Sequence, residues 1–142
     1  MLIGNYSSKL QANGRTAFPA KFRNELDDHL VLLQGYERCL MIVNSTTLDS
    51  LVAQDKPFAL SAARDTDRYL LGNAFEIELD SQGRFIIPQP LKDYAHLKDN
   101  EVIFVGVGSR VEIWSPQLWS EYQEYLAQNS AQIAQSLLNN PS

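Results

Sequence analysis

The hydrophobic and polar positions of this chain follow one pattern that occurs twice. Residues 10–23 read LQANGRTAFPAKFR and residues 79–92 read LDSQGRFIIPQPLK, so leucine, glycine, arginine and proline recur at a constant spacing of 69 residues. Further along, residues 30–43 (LVLLQGYERCLMIV) parallel residues 101–114 (EVIFVGVGSRVEIW), with the spacing two residues longer. The sequence therefore predicts one structural unit that is present in two copies.

Each copy predicts the same order of elements. An alternating segment leads through a glycine turn into a short strand, and a proline then ends that strand and begins a helix. Asn13-Gly14 is a strong hairpin signal that predicts a type I′ turn, and Gln82-Gly83 is a weaker one. Two strands around another glycine turn complete the copy. The predicted strands are residues 2–10, 16–18, 30–34 and 39–43, then 75–79, 85–87, 102–106 and 110–114, with helices after Pro19 and Pro88.

Helices are predicted between the copies and after them. Residues 45–72 favour helix with a break at Pro57, and Ser45–Thr47 are candidate caps. The Ser-Pro pair at 115–116 is a good start for the last helix, because serine caps a helix and proline suits its first turn. The last four residues, 139–142, are expected to fray.

The two copies are expected to share one core. The runs 30–33 and 102–105 are apolar on both faces and predict buried central strands. A single β-β-α-β-β unit of about 45 residues buries too little surface to fold alone. We therefore expect an α+β fold in which two units interlock through their hairpins about a pseudo-twofold axis and form a compact, barrel-like body. The expected divisions are a first unit at 1–50, a helical connector at 51–72, a second unit at 73–119 and a C-terminal helix with its tail at 120–142.

Charge is distributed unevenly along the chain. The composition is that of a globular protein, with 44% hydrophobic and 20% charged residues, and the net charge is −5. Residues 1–24 nevertheless contain four basic and no acidic side chains. A basic N-terminal face on an acidic body attracts a polyanion locally, although four cations can also form an ordinary solvated surface.

Several functional classes are excluded or disfavoured. No apolar run is long enough for a membrane helix, and the first residues lack the pattern of a secretory signal. Cys39 is the only cysteine, so disulfides and CxxC zinc sites are excluded and a reducing cytoplasm is favoured; in its apolar strand it is expected to be a core residue. His29 and His96 lack partners at metal spacing. Gly106-Val107-Gly108 is read as a hairpin turn, because it lacks the rest of a nucleotide loop. With no nucleophile–base set visible, we expect no enzyme, cofactor, metal or small-molecule substrate.

The candidate DNA contacts lie around the two repeated turns. Arg15 and Arg84 each follow a hairpin turn, and a guanidinium there suits phosphate oxygens or the guanine edge. Asp80 is expected to brace Arg84, whereas Gln11, at the matching position, braces Arg15 without a charge. The predicted DNA-binding residues are Arg15, Lys9, Lys21, Arg23, Asn13 and Arg84, with Gln11 and Asp80 as turn-bracing residues.

Some of these residues also have a purely structural interpretation. Arg84 either contacts DNA or only stabilises its own turn by pairing with Asp80. Asn13 can read a base edge, but an Asn-Gly turn needs asparagine for its geometry alone, and we favour that reading. Trp114, Trp119 and Tyr122 can stack bases, but their spacing favours packing between the units.

The motifs GRTAFPAKFR, LDSQGRFIIP and VGVGSRVEIWSP together resemble the MraZ family of bacterial transcriptional regulators, over residues 1 to about 126. The resemblance implies tandem AbrB-like swapped-hairpin motifs, a ring-shaped homo-oligomer and no cofactor. It also implies a cytoplasmic, nucleoid-associated protein that binds short promoter repeats in double-stranded DNA and regulates, typically as a repressor, the division and cell wall gene cluster that includes its own gene. The second copy has the family's D-x-x-x-R motif from Asp80 to Arg84, but the first copy has Gln11 in place of the aspartate.

Two functional hypotheses follow from this. The first is a sequence-specific DNA-binding regulator in which a ring repeats a weakly basic face, so that several weak contacts act together. The second is an oligomeric protein-interaction scaffold of the same fold with weak or lost DNA binding, as the missing first aspartate permits.

Overall fold

The computed structural model describes residues 1–26, 29–52 and 60–139. The first half of the chain contains β1 (Leu2–Lys9), β2 (Arg15–Ala17), α1 (Ala20–Arg23), β3 (Leu30–Gln34) and β4 (Leu40–Asn44). The helices α2 (Ser45–Leu51) and α3 (Leu60–Leu70) follow. The second half contains β5 (Phe75–Glu76), β6 (Arg84–Ile86), α4 (Gln89–Tyr94), β7 (Glu101–Gly108) and β8 (Arg110–Trp114), and α5 (Pro116–Asn139) comes last.

Prolines set matching boundaries in the two halves. Pro19 and Pro88 end the short strands β2 and β6 and cap the helices α1 and α4. Proline has no N–H for a further strand bond, and its fixed φ suits a helix start. The predicted repeat of strand, turn, strand and helix is confirmed, with most strand ends within two residues of the prediction; β5 is the exception, because it ends at Glu76.

The strands of the two halves are interleaved in two antiparallel sheets. The six-stranded sheet has the order β1-β7-β8-β4-β3-β5, so β1 pairs with a strand of the second half and β5 with a strand of the first. The other sheet is formed, among the described strands, by β2 and β6. In it Thr16 lies opposite Phe85, and in the β4–β8 pair Met41 lies opposite Glu112. The two residues of each pair occupy matching positions of the repeat. The pseudo-twofold axis that relates the halves therefore passes through both pairs.

The main core lies between the large sheet and the β2–β6 ribbon. Strand residues such as Leu32, Ile42 and Phe104 face Phe18 and Phe85, and all five are at most 2% exposed. Phe18 stacks on Phe104, with ring centroids 5.8 Å apart. Each fully buried side chain of this kind contributes about 1.5–3 kcal/mol. The predicted α+β class and shared core are confirmed.

The opposite face of the large sheet is covered by helices. Leu33, Met41 and Val43 pack against α2 and α3. Trp114, with Cys39 and Val105, packs against the first turns of α5. The runs 30–33 and 102–105 are apolar on both faces because their sheet has a hydrophobic layer on each side.

The aromatic residues at the start of α5 form a packed cluster. The Trp114 ring centroid lies 5.5 Å from that of Trp119 and 5.2 Å from that of Tyr122. Cys39 of the first half belongs to the same cluster. The predictions that these aromatics pack between units and that Cys39 is a core residue are both confirmed.

Four local predictions are wrong. The strands β1 and β5 lie at opposite edges of an open sheet, so the described strands do not close into a barrel. Gly106 lies inside β7, and the turn is Gly108-Ser109 alone. The cap of α2 is Asn44, whose side chain accepts a hydrogen bond from the Thr47 N–H, because β4 continues one residue further than expected. The turn at Asn13 also differs, as described below.

Pro57 and the tail residues 140–142 lie outside the described residues. The start of α5 is confirmed, because the Ser115 hydroxyl accepts from the Leu118 N–H at 3.0 Å. No helix in the described ranges is long and apolar enough to cross a membrane.

The environment of Cys39 disfavours the thiolate form of its side chain. The side chain is 1% exposed, and burial followed by the nearby Glu112 and Glu37 raises the pKa of the thiol far above its ordinary value. We expect native protein at pH 8 to react with a thiol reagent at least 100-fold more slowly than the denatured chain, since the thiolate is the reactive form. Rapid native labelling of the thiol, measured by absorbance, would contradict this.

Candidate nucleic-acid interface

The two repeated hairpin turns have the same geometry. The Gly14 N–H donates to the Gln11 carbonyl at 2.9 Å, and the Gln11 N–H donates to the Arg15 carbonyl at 2.9 Å. Gly83 and Asp80 repeat the pattern. A type I′ turn needs positive φ at both central residues, but Asn13 is not among the described non-glycine residues with positive φ. The turn is a four-residue turn with a glycine bulge in the left-handed region, where Gly14 has φ of 87°.

Each turn is bonded to the chain of the other half. The Phe18 N–H donates to the Gly83 carbonyl at 2.9 Å, and the Ile87 N–H donates to the Gly14 carbonyl at 2.8 Å. A Cβ at Gly14 would lie 2.6 Å from the Ile87 carbonyl oxygen, so only glycine permits this approach. The turns therefore sit on a common rigid support.

The β2–β6 pairing places both candidate arginines on one surface. Arg15 lies opposite Ile86, and Ala17 lies opposite Arg84. Side chains alternate along a strand, so these four share the outer face while the buried Thr16 and its partner face the core. Diagonal neighbours of this kind are about 7–8 Å apart. We call the surface formed by Arg15, Ala17, Arg84 and Ile86 the ribbon face.

The two arginines differ in how they are held. Asp80 Oδ2 accepts from Arg84 Nε at 2.9 Å, and Oδ1 accepts from the Arg84 and Gln82 backbone N–H groups, each at 2.9 Å. Within the described ranges, the Arg15 guanidinium has neither a hydrogen bond nor an ion pair. Arg84 is therefore fixed in one orientation, and Arg15 is free to reorient.

The first turn is braced by a different residue from the second. Asn13 Oδ1 accepts a hydrogen bond from the Arg15 backbone N–H at 3.0 Å. In the second turn Asp80 Oδ1 accepts the equivalent bond from the Arg84 backbone N–H. Gln11 contributes its main-chain N–H and carbonyl, while its side chain is exposed and hydrogen-bonds to nothing in the described part of the chain. The asparagine thus stabilises the turn without a carboxylate and leaves the Arg15 guanidinium without a hydrogen-bonded acid in the described part of the chain.

The other predicted cations lie around the first half. The Arg23 Nε donates to the Phe18 carbonyl at 3.1 Å, and its guanidinium packs closely against Gly83 of the second turn. Lys21 lies over the ring of Tyr6, 5.8 Å from its centroid. Lys9 is exposed at the end of β1, opposite Glu101.

Two acidic residues that sequence analysis did not single out, Glu76 and Glu78, line a cleft beside the ribbon face. Glu76, Glu78 and Asp80 border a cavity of about 430 Å³ that Arg15 and Arg84 also line. The matching positions of the first half are Ser7, Lys9 and Gln11. The alternating sequence EIELD at 76–80 could have indicated this acidic edge, because a carboxylate at every second residue lies on one face of an extended segment. One flank of the ribbon face is therefore acidic, and the matching segment of the other half is not.

Neither histidine lies in a metal-binding cluster. His29 and His96 are exposed, and His96 sits just after α4 with φ of 56°. Within the described ranges, no three histidine, cysteine, aspartate or glutamate side chains are grouped so that they could hold a metal ion.

The fold and the ribbon face together define the structural class of the protein. The chain is a tandem-repeat α+β protein whose two halves present one arginine-bearing β-ribbon to solvent. The family model described as "MraZ protein, putative antitoxin-like" matches residues 1–69 and again residues 70–140. The chain belongs to the MraZ family.

Curated relatives match nearly the whole chain. The protein called "Transcriptional regulator MraZ" in Thermoanaerobacter pseudethanolicus is 40% identical over 139 residues, which are 96% of each chain. The protein of the same name in Bifidobacterium longum is 36% identical over 140 residues, 97% of this chain and 93% of its own. That of a Nocardioides strain is 43% identical over 122 residues, 84% of each.

The hydrogen bonds to Asp80 make a specific prediction about its acidity. The Arg84 backbone N–H is the largest of the interactions that hold the pKa of this carboxyl below its ordinary value. In Arg84→Ala the backbone donors remain, so we expect the Asp80 pKa to rise yet stay below the ordinary value of about 3.9. A carboxyl NMR titration measures it.

The same shift gives a pH dependence of stability. Because the folded pKa is lowered, the carboxylate stabilises the fold above the unfolded value near 4, and the contribution is lost as pH falls through the folded pKa. The difference in stability between wild type and Asp80→Asn should therefore be constant near neutral pH and shrink below about pH 4. A difference that persists unchanged at pH 2 would contradict the assignment.

Proposed function

We propose that this chain is a sequence-specific DNA-binding transcriptional regulator that docks its ribbon face on double-stranded DNA. The observation that carries the proposal is the exposed two-stranded ribbon, on which Arg15 has no partner in the described part of the chain and lies beside a braced Arg84. The major groove of B-DNA admits a two-stranded β-ribbon, and arginine is suited both to guanine edges and to phosphates.

The two arginines are suited to different tasks. A free guanidinium such as that of Arg15 can follow a phosphate, which tolerates many orientations. Among the described residues the Arg84 guanidinium is bonded through Nε alone, so its terminal NH groups remain available in a fixed orientation. That arrangement suits the reading of a base edge, because base contacts demand a defined geometry. Lys9 and Lys21 then add phosphate contacts on the first-half side.

The acidic flank restricts how DNA can approach. Glu76 and Glu78 would repel phosphates, so the backbone is expected to run over the first half of the ribbon face, where the matching segment has no acidic residue. Arg23 contributes to this side mainly by holding the two turns together through the Phe18 carbonyl.

The finer features of the proposal rest on the family resemblance and on the interleaved halves. We propose that the interleaved halves are tandem swapped hairpins and that copies of the chain assemble into a ring. A ring repeats the ribbon face, so several modest contacts bind neighbouring promoter repeats at high effective concentration. The regulated genes are the division and cell wall cluster that includes this gene, the effect is repression, and the protein is nucleoid-associated in the cytoplasm. The relatives named as transcriptional regulators support the regulatory role.

Replacement of the free arginine tests the interface. We expect Arg15→Ala to weaken binding to DNA carrying the promoter repeats by about 10- to 100-fold, because a charge-assisted hydrogen bond contributes about 1.5–3 kcal/mol. The dependence of log K on log salt should also become shallower. Fluorescence anisotropy at several salt concentrations measures both.

A matched control removes the same charge on the other side of the sheet. Arg68 lies on α3 and pairs with Asp65 in an exposed ion pair. Arg68→Ala should leave binding within about two-fold, since exposed pairs contribute little. Equal losses in both variants would contradict a localised interface. No wild-type binding even at low salt would favour the protein-interaction scaffold instead.

A further inference from the structure

The free part of α5 presents an apolar stripe that no hydrophobic cluster of the described chain covers. Tyr122 is the last α5 residue in such a cluster. The helix continues to Asn139, which adds about 25 Å at 1.5 Å per residue. Ile133 is 38% exposed and Leu137 is 70% exposed. In proteins most helical stability comes from packing of an amphipathic face rather than from intrinsic propensity.

The stripe follows a regular spacing. Tyr122, Leu126, Asn129, Ile133 and Leu137 are three or four residues apart, so they lie along one side of the helix. Leu126 and Asn129 are half-buried, while the other described residues from 123 to 139 are exposed.

The charge pattern excludes two kinds of occupant. After Arg110 the sequence contains no lysine, arginine or histidine. A polyanion or an anionic membrane surface therefore finds no cation on this helix. An uncharged, partly apolar stripe favours an apolar protein surface that needs no opposite charge.

A second copy of α5 meets that requirement. The sequence has no charged side chain after Glu124, so two copies can approach along this stretch without like-charge repulsion, although the whole chain carries −5. In an antiparallel pair, Tyr122 faces Leu137 and Leu126 faces Ile133, because these positions are symmetric about the middle of the stripe. A parallel pair would instead bring Glu121 and Glu124 close to their own copies.

We infer that α5 pairs in antiparallel fashion with α5 of a second copy through this stripe. The inference deepens the proposed self-assembly and rests on it. Such a contact is two-fold symmetric and uses each α5 once, so a closed ring needs a second contact elsewhere on the body. Loss of the α5 contact should accordingly split the particle into parts of half its mass or less.

The test compares a double substitution on the stripe with a single substitution of a comparably exposed leucine off the stripe. In Ile133→Gln/Leu137→Gln the stripe is interrupted while glutamine preserves helix propensity. Leu138→Gln is the control, because Leu138 is 76% exposed but lies on the other side of the helix. We expect light scattering after gel filtration to give half the wild-type mass or less for the double variant and the wild-type mass for the control. Circular dichroism checks that the fold is retained.

Disulfide capture tests the direction of pairing. Cys39 is buried, so an introduced cysteine reports its own position. Asn129→Cys, near the symmetry axis, should form a disulfide-linked dimer under mild oxidation. Leu126→Cys should form one only when mixed with Ile133→Cys. Cross-linking of Leu126→Cys with itself indicates parallel pairing and overturns the inference.

The outcomes separate this inference from the proposed function. An unchanged particle mass in a folded double variant overturns the α5 contact and leaves the assembly and DNA binding standing. A monomeric wild type overturns both the assembly and the contact. An oligomeric wild type that depends on α5 but does not bind the repeat DNA supports the contact and overturns the proposed function.

Discussion

The pairing of β2 with β6 is the interaction on which the rest of the structure depends. Each strand is three residues long and lies outside the large sheet, so neither has another strand partner of comparable extent in the described chain. Their inner residues, Thr16 and Phe85, close the core over the large sheet, and their outer residues form the ribbon face. The reciprocal bonds from Phe18 to Gly83 and from Ile87 to Gly14 tie each turn to the other half. Folding of one half is therefore coupled to the presence of the other, which a unit of about 45 residues requires.

The same pairing explains how two similar turns come to have different electrostatics. Backbone geometry is almost the same in both, because the glycine bulge and the bond across the turn are repeated. The bracing group differs: a carboxylate at Asp80 bonds to its arginine side chain, whereas the Asn13 amide bonds to the Arg15 backbone N–H. A shared scaffold thus accommodates one fixed and one free arginine a short distance apart.

Sequence reasoning was most successful where a local rule and the repeat agreed. The prolines at 19 and 88 set both helix starts, and Ser115 set the start of α5. The turn type was missed because Asn-Gly suits several hairpins, and the choice depends on how the flanking strands pair. The cap of α2 was missed because Asn44 and the three residues after it are all good caps, and only the length of β4 decides among them.

Local sequence rules do not predict which residues, distant in the sequence, lie close together in the fold. Arg15 and Arg84 share one surface only because β2 and β6 are in register, and Glu76 and Glu78 become relevant only because β5 ends beside that surface. The uneven charge of the sequence then has a structural counterpart. The free cation faces solvent on the ribbon side of the sheet, and the uncharged stretch of α5 begins on the opposite side. Contacts with a polyanion and contacts between copies can therefore use different faces of the molecule, which allows an acidic chain to combine both.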